Sequence, residues 1–384
     1  MATFKNNVLK LSWIPYLLIL FEMLYMATPF AVFFYSIYEV PLKFLNLSPN
    51  TAWMLQTVFP HFVETNSPFI SILLGAGWLF MGVGILVFII AFVQIYYAKF
   101  TKKGAVTNGL YRFIRHPQYT AWTLFGLGMC LVWSRIIVWL MFVTMTFIYY
   151  KLAKAEEREC LAKFPDSYGN YIKKTGLFFP KFSKDSSGRN ITPKNYFHAL
   201  LSQLAVYFGA LVATVLVAHL LRTYTIHSIA SDFNDQYTAV SVTYMAPEQI
   251  RRATQVLFKD KKVLNQLDKH FAKNDKMILY ILPQNWSIEE LGMENKRNQY
   301  HKNARRQPSI SAHGNPLDTD TEKKRVIVSL ARLMNPSKDR NFLFDMKQQV
   351  PKFYVDVDLE KGVVTNVITS LPPSIYGDIP VPMY

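Results

Sequence analysis

Four runs in the first 221 residues are apolar for long enough to cross a bilayer core of roughly 30 Å: about 11–39, about 69–98, 119–151 and about 197–221. The third is broken at Trp133-Ser134-Arg135 into two shorter crossings joined as a hairpin, so the pattern predicts about five transmembrane helices. The first run is too long for a signal-peptide core and no small-residue cleavage site follows it, so it reads as a retained helix. After Leu221 the pattern changes and no run reaches bilayer length. Ile250, Ala253, Val256, Leu257, Val263 and Leu267 recur at near-helical spacing within 247–273, predicting one or two amphipathic helices. Met277–Leu282 and Val326–Leu330 are strand-type runs, and Phe353–Leu359 with Val363–Ile368 form a hairpin across Glu360-Lys361-Gly362. Segment 294–324 is polar and reads as a long loop.

The expected architecture is therefore an α-helical integral membrane protein followed by a soluble α+β domain. Its parts are a membrane core over 1–180, a Ser- and Gly-containing cytoplasmic linker over 181–196, a fifth transmembrane helix over 197–221 and the soluble domain over 222–384.

Composition agrees: 51% of the residues are hydrophobic and 15% aromatic. The net charge of +16 by itself would suit nucleic acid, but its placement points elsewhere. Segment 99–118 holds Lys99, Lys102, Lys103, Arg112 and Arg115 with no acid, whereas the 40–68 loop sets only Lys43 against Glu64. Lys/Arg excess in short loops marks the cytoplasmic side. The N-terminus, 99–118 and 152–196 are thus expected inside, and 40–68, the 134–135 turn and the C-terminal domain on the opposite side. Basic loops of this kind serve topology and attraction to anionic lipid, and no nucleic-acid partner is expected. The two cysteines, Cys130 and Cys160, give no disulfide framework. His227, His270, His301 and His313 lack metal-ligand spacing, and no metal site is expected.

The chemistry gathers at two clusters. Arg115-His116-Pro117-Gln118-Tyr119 precedes an apolar helix, with Gly109 marking a turn upstream and Pro117 suited to a helix start. Helix-start N–H groups can receive a carboxylate. Glu156-Glu157 follows one hairpin later, which returns the acids to the membrane face of His116. Adjacent helical positions point about 100° apart, so one acid can face a ligand while the other pairs with a base. Tyr168 and Tyr171 share a helix face. Each residue has a plainer reading: His116 as a headgroup anchor, Arg112 and Arg115 as topology signals, the acids paired with Lys154, Arg158 or Lys163 on a solvated helix, the tyrosines as interfacial belt. Gly126 and Gly128 suit close helix packing.

Gly109-Leu110-Tyr111, Arg115 to Tyr119, Glu156-Glu157, Phe164, Tyr168, Tyr171 and Pro180 together resemble the membrane methyltransferases that include isoprenylcysteine carboxyl methyltransferase and the phospholipid N-methyltransferases. The resemblance covers about 105–180. It implies S-adenosylmethionine bound at the cytoplasmic helix ends and a lipophilic acceptor, such as a prenylcysteine carboxylate or a phospholipid headgroup, entering from the bilayer. It also implies cofactor binding by Tyr111, His116, Pro117, Tyr119, Glu156, Glu157, Tyr168 and Tyr171, and catalytic roles for Glu156, Glu157 and Arg115. Pro165 stands where the family commonly has glycine, and Cys160 where leucine is usual. Membrane steroid-type reductases, which use NADPH, resemble the same region, but commonly carry Asp-Glu at the acid pair and Trp where this chain has Tyr168. A third reading is a membrane anchor displaying the 222–384 domain for partner binding. Oligomeric state is not legible in the sequence.

Overall fold

The computed structural model of the protein describes residues 40, 42–60, 63, 65–101, 106–181, 196–284, 322–334, 343 and 345–369. The expected first crossing, nearly all of the linker, the 294–324 loop apart from its last residues, and His301 and His313 lie outside the described residues. The described helices are α1 (Pro68–Phe100), α2 (Pro117–Val132), α3 (Ile136–Lys163), α4 (Pro165–Lys174), α5 (Tyr196–Ser228), α6 (Pro247–Lys259) and α7 (Lys261–His270). The strands are β1 (Ser231–Phe233), β2 (Tyr237–Ser241), β3 (Lys276–Pro283), β4 (Lys323–Leu333), β5 (Met346–Asp358) and β6 (Val363–Ile368).

Among the described residues, three helical stretches are long and apolar enough to cross a membrane: Pro68–Ala98, Ile136–Lys163 and Leu201–Ser228. The α2 helix, expected as a further crossing, has 16 residues. At 1.5 Å per residue it spans about 24 Å, short of a full hydrocarbon core. Leu79, Leu86, Ile89, Phe92 and Val93 of α1 are exposed, a surface suited to lipid.

Contacts divide the chain into two units, one containing Ile72–Ala218 and the other containing the described residues up to Ser71 together with His219 onward. In the first unit, α1 and α2 approach through glycine. A Cβ on Gly84 would lie 2.8 Å from the Ala121 carbonyl oxygen, and one on Gly128 2.8 Å from the Met81 nitrogen. Bare backbone at these positions lets α2 lie directly on α1. The α2–α3 turn is not a solvent loop, because Trp133, Ser134 and Arg135 are all buried. Trp78 of α1 meets Trp133 edge-on at 5.7 Å, and the Trp139 indole donates to the Cys130 carbonyl at 2.8 Å, closing the turn.

The second unit is built on a six-stranded sheet in sequential order. All neighbours are antiparallel except β2 and β3, which are parallel and joined through α6 and α7. Asp260 separates these two helices by accepting from the Lys262 and Val263 amides at 2.8 and 3.1 Å, an N-cap that resolves the 247–273 segment into two. Ile250, Ala253, Leu257 and Val263 bury against Met277, Leu279 and Ile281 on one sheet face. The alternate residues Ile278, Tyr280 and Leu282 bury on the other face with Val63, Ile226 and Ile229. Burial on both faces explains why 277–282 is continuously apolar.

The 40–68 segment is thus more than a connecting loop. Thr65 bridges Ile229, Thr65 Oγ1 lies 2.7 Å from Ser228 Oγ, and Ser67 Oγ lies 2.8 Å from the Tyr224 hydroxyl. The β5 strand begins seven positions before the expected Phe353. Pro351, which argues against a strand, sits where the β4–β5 register shifts next to Ser329, a bulge position that tolerates a missing N–H.

Candidate active site

The site begins at a turn. Gly109 has φ +61°, and an added Cβ would run into the Gln94 side chain of α1. Gln94 Oε1 accepts from the Leu110 amide at 3.2 Å, so α1 holds the Gly109–Arg112 turn in place. Gly109→Ala is expected to cost about 1–3 kcal/mol through left-handed strain and the Gln94 clash. Thermal unfolding of the purified variant measures it, and an unchanged melting temperature would contradict it.

From that turn the chain is pinned to the tail after α4. The Arg115 amide donates to the Gly176 carbonyl at 2.9 Å and the His116 amide to the Leu177 carbonyl at 3.2 Å, beside a parallel bridge between Ile114 and Gly176. Thr120 Oγ1 donates to the Phe178 carbonyl at 3.0 Å. Tyr171 donates its hydroxyl to the Tyr111 carbonyl at 2.6 Å, and its ring lies 5.5 Å from that of Tyr168. Burial pushes the Tyr171 phenol up to about 12, with Arg115 opposing and Glu157 adding to the shift. Burial also raises Tyr111 and Tyr168. All three phenols therefore remain protonated donors at neutral pH.

Pro117 occupies the first turn of α2, as the sequence suggested, and His116 its N-cap position, without a capping bond from its side chain. At the end of α3 the two acids diverge. Glu157 is buried and receives Arg115 Nε and, at 3.0 Å, Lys154 Nζ. Arg115 Nη1 also donates to the carbonyls of Ile172, at 3.2 Å, and Thr175, so one guanidinium ties α3 to the C-terminal turn of α4. Cation contact with the carbonyl end of a helix is favourable. Glu156 is 35% exposed and accepts from the Tyr119 hydroxyl at 2.7 Å.

His116 lies between the acids. Its Nδ1 is 3.5 Å from Glu156 Oε2 and its Nε2 4.0 Å from Glu157 Oε1. The residue is 8% exposed, yet Nε2 is buried without a hydrogen-bond partner among the described residues. The imidazole stacks on Tyr119 at 5.6 Å and 15°, and Tyr119 stacks on Tyr149 at 4.9 Å and 17°.

Arg115, His116, Tyr119, Glu156 and Glu157 thus form one contiguous cluster where the start of α2 meets the C-terminal part of α3, the α2–α3 junction, at the far end of the hairpin from the Trp133–Arg135 turn. Tyr111, Tyr168 and Tyr171 form the adjoining wall with the tail. Pro165 starts α4 one residue after Phe164 ends α3, which accommodates the departure from glycine. Gln94, Thr120, Tyr149 and Thr175 were not singled out from the sequence. The signals available were a lone amide in the apolar run of α1 and a tyrosine seven residues before Glu156.

Residues 70–168 match the family described as phospholipid methyltransferase. No curated protein and no solved structure gives a significant match. The matched segment runs from α1 into α4, taking in every expected site residue except Tyr171. The matched family implies a methyltransferase, and three of the described helices are long and apolar enough to cross a membrane.

Proposed function

We propose that the chain is an integral membrane methyltransferase that takes S-adenosylmethionine at the α2–α3 junction and transfers its methyl group to a lipophilic acceptor. The observation that carries this reading is His116 Nε2, a buried polar atom with no hydrogen-bond partner among the described residues, beside the half-exposed carboxylate of Glu156. A buried nitrogen without a hydrogen bond is costly, and a ligand atom that reached it would remove that cost. The residues fit the cofactor: Glu156 offers negative charge to a sulfonium or an amino group, and the start of α2 offers backbone N–H groups to a carboxylate. The chemistry supplied by S-adenosylmethionine, when bound, is a methyl group activated on a sulfonium.

The protein's own share is placement. Tyr119 orients Glu156, Arg115 and Lys154 hold Glu157, and Arg115 also ties the end of α4 to α3. In this reading Arg115 is a positioning residue, because its guanidinium is engaged by Glu157 and the end of α4. Orientation of acceptor and methyl can supply about 7–11 kcal/mol in favourable cases, and a preorganised carboxylate adds to it. A carboxylate acceptor needs no base. For an amine, His116 Nε2 is placed to take the proton, since Glu157 is held by two cations.

The site is assigned to the cytoplasmic side on the basic residues of 99–118. The second unit is assigned to the opposite side, since 40–68 and the end of α5 are built into the same unit. The acceptor is read as a phospholipid headgroup or a prenylcysteine carboxylate, with membrane lipids as surroundings. Incubation of purified protein with labelled S-adenosylmethionine and total membrane lipid extract is expected to label a lipid-soluble product. Label confined to the aqueous phase would contradict the lipophilic acceptor.

A further inference from the structure

Resting on the methyltransferase reading, we infer that Tyr149 is a positioning residue of the site, setting the direction of Glu156 through the ring of Tyr119. Tyr149 and Glu156 lie seven residues apart on α3, two turns and about 10 Å along one face of the helix. Tyr119, from α2, spans that interval. Its ring lies flat on Tyr149 at 4.9 Å and 17°, and its hydroxyl reaches Glu156 Oε1 at 2.7 Å. The Tyr119 ring is also stacked with the His116 imidazole, at 5.6 Å and 15°. Three rings in nearly parallel planes therefore lead from the interior of α3 to the two groups that address the cofactor.

The base of this stack is fixed. Tyr149 is 6% exposed and shares a cluster with Met145 and Leu152, both buried, and with Phe142. Gly126 of α2 faces that cluster with bare backbone: an added Cβ would meet Phe142 at 3.0 Å and Met145 at 3.3 Å. The depth of Tyr149 beneath Tyr119 is thus determined by close packing of α2 on α3. Any large apolar side chain could fill the volume, but only a flat ring also fixes the plane of Tyr119 and so the aim of its hydroxyl. A stacked aromatic pair adds stabilisation beyond burial. The hydrogen bond it aligns is of the stronger, charge-assisted kind.

The test is a double-mutant cycle on the full chain in nanodiscs, with S-adenosylhomocysteine as the calorimetric probe. Tyr149→Phe keeps the ring and is expected to bind within about twofold of the unsubstituted protein. Tyr149→Leu and Tyr119→Phe are each expected to raise Kd about tenfold, the scale of one hydrogen bond to a charged group. The combined Tyr119→Phe/Tyr149→Leu protein is expected to stay within about twofold of the weaker single variant, because both changes remove the same alignment. If Tyr149→Leu does not fold, Tyr149→Met, which has similar bulk and no ring, carries the same expectation. Unchanged Kd in the ring-removed variant, or effects that multiply to about a hundredfold, would overturn the role of Tyr149 alone. No binding by the unsubstituted protein would overturn the methyltransferase reading and this inference with it.

Discussion

Replacing Glu156 and Glu157 together by Gln is expected to abolish S-adenosylmethionine binding, lowering affinity about a thousandfold or more. Glu156 is placed to give the cofactor a charge-assisted hydrogen bond of about 1.5–3 kcal/mol, and loss of the Glu157 carboxylate frees Arg115 and the turn after α4 that it ties to α3, so the two changes together reach that factor. The single variants should separate the roles. Glu156 is partly exposed and meets Tyr119 and His116, so Glu156→Gln should weaken binding while leaving the melting temperature nearly unchanged. Glu157 is buried between Arg115 and Lys154, so Glu157→Gln should lower thermal stability as well, because it leaves a buried guanidinium without its counter-charge. Calorimetric titration and thermal melting on the same preparations report both. Unchanged binding by the double variant would remove the acids from the site.

Arg115→Met carries the second largest effect. The guanidinium joins Glu157 to the carbonyls of Ile172 and Thr175, and all of this lies in a poorly hydrated junction. Breaking a buried pair on one side costs about 3–5 kcal/mol, and Lys154, which stays on Glu157, places the expected loss near 3 kcal/mol. The tail loses one of its ties at the same time, so hydrogen exchange should accelerate across 171–178. Arg115→Met/Glu157→Met should regain much of the stability, since an apolar pair leaves no orphaned charge, yet the junction would no longer be electrostatically ordered. Denaturation and hydrogen exchange in detergent measure these effects. Protection equal to that of the unsubstituted protein in Arg115→Met would contradict the role given to this residue.

The parts of the fold legible in the sequence were those where one periodicity dominates. The long apolar run gave α1, the 3.6-residue spacing of Ile250, Ala253 and Leu257 gave α6, and the continuous apolar run 277–282 gave β3. Short strands β1 and β2 escaped notice, because Ser231–Phe233 and Tyr237–Ser241 are too brief to carry a pattern. Their turn is set by Asn234, whose side chain accepts from the Gln236 and Tyr237 amides. The incorporation of Val63, Thr65 and Ser67 into the sheet unit was also invisible, since it depends on their meeting residues far away in the chain.

The site divides in the same way. Arg115, His116, Tyr119, Glu156 and Glu157 could be found because ionisable groups are conspicuous next to apolar helices. Which acid is buried, and what Arg115 holds, depends on where the tail returns, a tertiary fact carried by the 114–116 pairing with 176–177. Tyr149 and Gln94 look like ordinary helix residues in sequence and acquire meaning only from the rings and turn they touch.

The identity of the cofactor at the α2–α3 junction separates a methyltransferase from a reductase. Calorimetric titration of the purified full chain in nanodiscs with S-adenosylhomocysteine and, separately, with NADPH tests it most directly. Saturable binding of S-adenosylhomocysteine at one site per chain, with no response to NADPH, is the expected result. Saturable NADPH binding with silence toward S-adenosylhomocysteine would contradict it.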